Sequence, residues 1–229
     1  MTDDNSTDTP PTDATASPRT SALKPVGAVV DDRIRGWQAG LRHSNPQRRA
    51  RSLAVLARLR RGVGKQPGSV PDILAYTLAE EFVDARATDD PTAQEVAAHI
   101  ALTLYAMHQQ SRSKPMHQRG HGLGRAIRQL NPEEPTVPAT PVVRRFQALV
   151  TADTLDELVH HARGMVQLLR AAKPHGVPLD YGLLADQLVQ WQRDGGPARV
   201  RMIWAREFYR VRNQDTSKDP STPADRHPR

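Results

Sequence analysis

Between Pro141 and Ala172 the apolar residues recur with a period that only helices can bury. From Thr140 to Ala152, Val142, Val143, Phe146, Leu149 and Val150 fall at i, i+1, i+4, i+7 and i+8. From Thr154 to Ala172, Leu155, Leu158, Val159, Ala162, Met165, Val166 and Leu169 keep the same spacing for more than four turns. This is one buried face of an amphipathic α-helix and matches no β-strand. Thr154 and Glu157 stand at capping-box spacing and mark where the second helix starts. The break between the two is short, so they are read as antiparallel neighbours. Their outer sides are cationic: Arg144 and Arg145 leave the first helix, and His160, Arg163, Gln167 and Arg170 form a stripe on the second.

The same period divides the rest of the chain into helices. Asp31 or Asp32 can cap one running to about Leu41, with Ile34, Trp37 and Leu41 inward. Pro46 suits the first turn of the next, which runs to about Gly62 and buries Leu53, Leu56 and Leu59. Further helices are expected over 72–87, Thr92–Gln109, 123–130, Tyr181–Gln192 and Pro197–Arg212. Asp90-Pro91 supplies a cap and first turn for the helix from Thr92. The fold class is therefore all-α, about eight to nine helices in two small helical bundles with disordered termini. The Pro-rich stretch 131–141 separates an N-terminal helical lobe (26–130) from a C-terminal one (139–213). Residues 1–25 and 214–229 have almost no apolar side chains and are read as disordered tails.

Charge sorts the functional classes. The chain carries a formal +7, but residues 1–25 hold −2 and residues 214–229 hold zero, leaving +9 on the body. Nearly all of that surplus is Arg, whose planar fork matches phosphate oxygens two at a time. A GC-rich genome would also raise Arg, so charge alone does not separate a polyanion partner from codon bias. Candidate phosphate contacts are Arg58, Arg61 and Lys65 on the second helix, Arg125 and Arg128 on the short helix after Gly122, and Arg144, Arg145, Arg163 and Arg170. Residues 110–122 have no apolar period and are read as a mobile basic loop carrying Arg112, Lys114 and Arg119. The exposed side of 72–87, with Glu80, Glu81 and Asp84, suits a protein neighbour better than DNA.

Other chemistry is not written here. The chain has no Cys, which removes disulfides, thiol nucleophiles and Cys-type zinc sites. No apolar run approaches the roughly 18 residues of a bilayer span, and the acidic start has no signal-peptide order. A cytoplasmic protein without membrane, metal or cofactor is expected. His117 and His121 would suit zinc only on a helix, which Pro115, Gly120 and Gly122 oppose. His108 reads as a core histidine. Gly62-Val-Gly64-Lys65 lacks the spacing and preceding strand of a phosphate-binding loop. No residue set names a general base, so no enzyme is expected.

Several sub-sequences occur together in a characteristic order. They are Trp37-Gln38, Ala57-Arg-Leu-Arg-Arg61-Gly, Gly122-Leu-Gly-Arg125-Ala-Ile, Val143-Arg-Arg-Phe146, Leu179-Asp-Tyr181 leading to Trp191, and Arg201-Met-Ile-Trp-Ala-Arg-Glu-Phe-Tyr-Arg210. Over residues 32–212 the chain resembles the CasB family, the small subunits of the type I-E CRISPR Cascade complex. The tails and the loop near Gly64–Pro71 depart from the family pattern. The resemblance implies a non-catalytic, all-helical subunit, present with a second copy of itself. It implies packing on the backbone and large Cascade subunits, with crRNA and target DNA in the assembly. It also implies a basic path that steadies the R-loop by holding the displaced strand, in antiviral defence, with Arg61, Arg125 and Arg144 or Arg145 on family basic positions. The competing reading is a helical DNA-binding regulator. That would need a compact helix-turn-helix with a polar recognition helix, and neither stands out. A small hydrolase built on His108, His117 or His121 is a third.

Overall fold

The computed structural model describes residues 22–83, 89–130 and 140–209. Among them are nine α-helices and no sheet: α1 (Pro25–Leu41), α2 (Pro46–Leu59), α3 (Leu74–Thr77), α4 (Ala93–His108), α5 (Leu123–Leu130), α6 (Pro141–Thr151), α7 (Leu155–Ala171), α8 (Tyr181–Trp191) and α9 (Gly196–Tyr209). The chain is all-α, as its periodicity predicts. The expected tails fall largely outside the described residues, as do the end of the last helix and most of the 131–141 connection.

The molecule is built around α4. Every residue from Ala97 to His108 is buried, so this helix meets protein on all sides rather than on the one face that its periodicity suggests. It is covered by α1, α2, α7 and α8. Its start is a complete capping box: Thr92 Oγ1 accepts the Glu95 N–H, and the Glu95 carboxylate accepts the Thr92 N–H at 2.8 Å. α8 packs heavily on α1 and α4, and α5 packs on α9. Helices from both sides of the 131–141 connection thus share a single apolar interior. The expected two-lobe division does not correspond to a break in the core.

α1 begins six residues before the expected cap. Pro25 sets its first turn, and the cap comes from another helix: Asp186 of α8 accepts the Lys24 N–H at 2.7 Å and the Gly27 N–H at 2.8 Å. This satisfies orphan amides that a local Asp or Ser would otherwise take. Gly27 has to be glycine, because a Cβ there would lie 2.4 Å from the Asp186 carboxylate and 2.6 Å from the Gly182 carbonyl.

Asp31, read as a cap, is instead buried mid-helix. It accepts His117 Nε2 at 2.9 Å and a two-pronged donation from Arg119, at 2.8 Å from Nε and 2.5 Å from Nη2. His117 is 5% exposed and accepts the Tyr181 N–H on Nδ1. Its backbone forms an isolated parallel bridge with Leu179. Residues 110–122 are therefore pinned in place rather than forming a mobile loop. Gln109 secures the other end, accepting the Met116 N–H and donating to the carbonyls of Arg112 and Lys114.

The expected helix over 72–87 is broken. It consists of a 3₁₀ turn (Pro71–Ile73), the single turn α3, an extended Leu78–Ala79 and a second 3₁₀ turn (Glu80–Phe82); residues 84–88 lie outside the described set. The Arg33 guanidinium donates to the carbonyls of Tyr76 and Leu78 at 2.8 and 2.6 Å. These oxygens would otherwise continue a helical ladder. Ile73, Thr77 and Phe82 are buried, while Leu78 and Val83 are exposed.

Burial alone would raise the Asp31 carboxyl, but the hydrogen bonds from Arg119 and His117 outweigh it and hold the group below the ordinary carboxylate range. A depressed folded-state value gives stability that is present above the unfolded pKa and lost as pH falls through the folded one. Denaturant midpoints should therefore decline on acidification below about pH 4. Asp31→Asn should flatten that decline and cost about 3 kcal/mol at neutral pH. A variant as stable as the parent would show that the carboxylate does not anchor this junction.

Candidate nucleic-acid interface

Three clefts with shared walls run across one side of the molecule. The first, about 510 Å³, lies between Gln38 and Arg42 of the α1 end, Lys114–Gln118 and Pro174–Gly176, with His175 on its wall. Gln38, Arg42 and Pro115 carry over into a second, about 200 Å³, that adds Arg49 and Arg112. Leu41, Leu53, Gln109 and Arg112 continue into a third, about 620 Å³, that adds Arg60. No Asp or Glu lines any of the three. Arg42, Arg49, Arg60, Arg112 and Lys114 therefore line a band with no carboxylate in its walls, and the field over it favours a polyanion.

Local structure explains this convergence. Arg42 is the C-cap of α1 and Arg60 that of α2. Arg49, Leu53 and Arg60 stand at i, i+4 and i+11, one face of a helix. Leu53 is 54% exposed on that face, an apolar step among the cations. Ser111, at φ 58°, turns the chain sharply after α4 and sets Arg112 against this face. Arg170 of α7 joins from the other side, its Nη1 donating to Gln110 Oε1 at 3.1 Å and Met107 O at 3.4 Å. Beneath them His108 is fully buried, with Nδ1 bonded to Tyr181 Oη at 2.9 Å. Burial pushes its pKa down to about 3, and the nearby Arg112 and Arg170 push the same way. It is a core histidine held neutral, and its Nε2 has no partner.

A fourth cavity, about 310 Å³, opens between the 64–67 loop, α4 and α7 and brings Lys65, His160 and Arg163 together. One carboxylate, Asp156, sits on its wall and accepts from Gln66 Nε2 at 3.5 Å.

The twelve cations expected to contact phosphate thus have different fates. Arg112 and Lys114 belong to the cleft band; Arg170 lines none of the three clefts and is bonded to Gln110 beside the third; Lys65 and Arg163 share the cavity on α7. Arg119 is taken up by Asp31, its remaining exposure notwithstanding, and acts as a structural tie. Arg61 pairs with Asp72, and Arg58 donates to the Tyr76 hydroxyl at 3.0 Å; both stay exposed. Arg125 donates to the Gly120 carbonyl at 3.3 Å, which places it by the Arg119 segment and not in the band. Arg128 is half-buried on α5, and Arg144 and Arg145 are exposed on α6. Sequence reasoning missed Arg42, Arg49 and Arg60. The i, i+11 spacing of Arg49 and Arg60 was a usable sign; the position of Arg42 was not readable before the packing of α1 on α2 was known. Among the described residues no group of three or more His, Cys, Asp or Glu could hold a metal ion, and no helix is long and apolar enough to cross a membrane.

Comparison with known proteins follows the same outline. Residues 55–209 match the family model for CRISPR-associated protein Cse2. The chain is similar to the crystal structure of CasB from Thermobifida fusca, with 43% identity, a TM-score of 0.67, and coverage of 82% of this chain and 99% of that one. It also resembles a Cse2-family CRISPR-associated protein from Thermus thermophilus (25% identity, TM-score 0.56, 82% and 100% covered). M. ruber CasB is a third (26%, 0.52, 78% and 93%). No curated protein matches.

The two kinds of arginine can be told apart in solution. Arg119→Ala should lower unfolding free energy by about 2 kcal/mol and leave single-strand affinity of the folded protein unchanged. Arg112→Ala should do the reverse. Thermal melts beside fluorescence anisotropy on a labelled oligonucleotide read both, and equal effects in the two assays would erase the distinction.

Proposed function

Since the chain belongs to the CRISPR-associated Cse2 family, we propose that it is a non-catalytic subunit of a crRNA-guided Cascade complex. In this reading it grips nucleic acid through the sugar-phosphate backbone and steadies the DNA strand displaced when guide and target pair. The observation that carries the proposal is the carboxylate-free band of Arg42, Arg49, Arg112, Arg60 and Lys114 across three continuous clefts. Guanidinium groups on helix ends and on a pinned turn offer charge and forked donors without a polar helix placed for base reading. Such a surface binds by neutralising phosphates and is indifferent to sequence. Strand exchange during R-loop formation is nearly balanced in free energy. A few backbone contacts on the displaced strand are therefore enough to tip it.

The same logic assigns other surfaces. Met202 and Tyr209 on α9, and Leu78 and Val83 near the acidic Glu80–Glu81 turn, are exposed apolar residues away from the band. They suit contacts with neighbouring subunits, including a second copy of this chain. A location in the cytoplasm follows from a partner set of crRNA, target DNA and Cascade proteins.

Engagement of about four phosphates gives a log-log salt slope near −2.8 for single-stranded DNA. The triple variant Arg42→Glu, Arg60→Glu, Arg112→Glu should flatten that slope to about −0.7 and weaken target opening by the assembled complex while remaining folded. Affinity that ignores salt, or the three substitutions, or that depends strongly on sequence, would reject the proposal.

A further inference from the structure

The cleft band is built of cations without internal partners, and one stretch of this chain has the opposite charge. Among the described residues none of Arg42, Arg49, Arg60, Arg112 and Lys114 forms an ion pair, and no carboxylate lines their clefts. Residues 1–21, outside the described residues, carry Asp3, Asp4, Asp8 and Asp13 against Arg19 alone, a side-chain charge of −3. They include no Val, Leu, Ile, Phe, Tyr or Trp, so charge and hydroxyls are what they offer a surface. The point where they join the fold is fixed. Asp186 accepts the Lys24 and Gly27 amides at the start of α1, and Arg42 of the band caps the other end of the same helix. The 17 residues of α1 span about 25 Å at the helical rise. From Ala22 back to Asp3 is 19 residues. A coil of that length has a root-mean-square reach of about 25 Å and a full extension of about 63 Å. The acids and the band are therefore within reach of each other.

We propose that residues 1–21 lie across this band when no strand is bound, with their Asp side chains standing where phosphates would. The inference rests on the backbone-gripping function proposed above and adds its regulation. Exposed ion pairs are individually weak, but a tethered segment meets its site at an effective concentration of about a millimolar, so several weak pairs suffice to occupy the clefts. Charge density decides what displaces it. Four carboxylates over residues 3–13 give about one charge per 9 Å of extended chain. A nucleic-acid strand carries one per about 3.4 Å. A strand long enough to follow all three clefts therefore wins the site, and a short or sparsely charged anion does not. The segment acts as a threshold that reserves the band for a long polyanion.

The test sets the parent beside a full-length variant carrying Asp3→Asn, Asp4→Asn, Asp8→Asn and Asp13→Asn. Fluorescence anisotropy on a single-stranded DNA of about 20 nucleotides should show the variant binding about fivefold more tightly at about 0.05 M salt. The gap should close as salt is raised to about 0.5 M and screening shortens. Acids acting only at a distance would give the same trend, so a second measurement locates the segment. The chain has no Cys, and Ser6→Cys therefore takes a single nitroxide label. In the parent background the label should broaden the backbone amide signals of Arg49 and Arg112 in NMR spectra, and the oligonucleotide should restore them. With the four Asn substitutions the broadening should be absent. Equal affinities for parent and variant at low salt, or a label that leaves both band amides sharp, would overturn the docked segment while the backbone grip stands. If neither protein binds the strand, the grip fails and its regulation with it.

Discussion

A helix that is apolar on every side cannot stop at one partner. Ala97–His108 of α4 must be enclosed, and the enclosure draws α1, α2, α7 and α8 into one body. Everything else follows from that demand. α8 lies beyond the 131–141 connection, yet the burial of α4 and the Asp186 cap on α1 bind it to the first half of the chain. Stacked and edge-on rings continue the seam from Trp37 through Tyr105 to Tyr181. The cationic surface is a product of the same packing, since Arg42, Arg60 and Arg112 stand at helix ends that meet only because α4 is covered.

A second constraint is electrostatic. Removing Asp31 from water is unfavourable unless its oxygens are satisfied. Here they accept from His117 and Arg119, and His117 in turn accepts the first amide of α8. Three segments far apart in sequence are joined by one carboxylate. The segment 110–122 is polar and has no apolar period, and this junction holds it together with Gln109 at its start and the backbone bridge to Leu179. Its order gives Arg112 and Lys114 a surface of fixed shape, on which a ligand would cost less ordering entropy.

Local pattern was enough to locate the helices whose burial repeats every third or fourth residue. α6, α7 and α8 lie where Thr140, Thr154 and Asp180 cap them. The pattern misled where distant groups decide the backbone. Arg33, more than forty residues away, takes the carbonyls that a helix over 72–87 would need. Asp31 has the chemistry of a cap, but its partners lie 86 and 88 residues on, and the true cap of α1 is on α8. The arginines show the same limit. Helical spacing could put Arg163 and Arg170 on one stripe, but it could not foresee that Asp31 would claim Arg119 or Asp72 pair with Arg61. Nor could it foresee that no acid would line the clefts holding Arg42, Arg49, Arg60 and Arg112.

The two cationic sites lie at different levels of the same helix, one along its middle turns and one at its C-terminal end. His99 marks the one beside Lys65 and Arg163, and Gln109 the one beside Arg60 and Arg112. Ten residues of α4 and its cap part them, about 15 Å at the helical rise. Because α4 is clamped on all sides, that interval is a ruler and not a hinge. A chain laid across both sites must meet a preset stride, and any polymer whose charges fall out of step with it leaves one end ungripped.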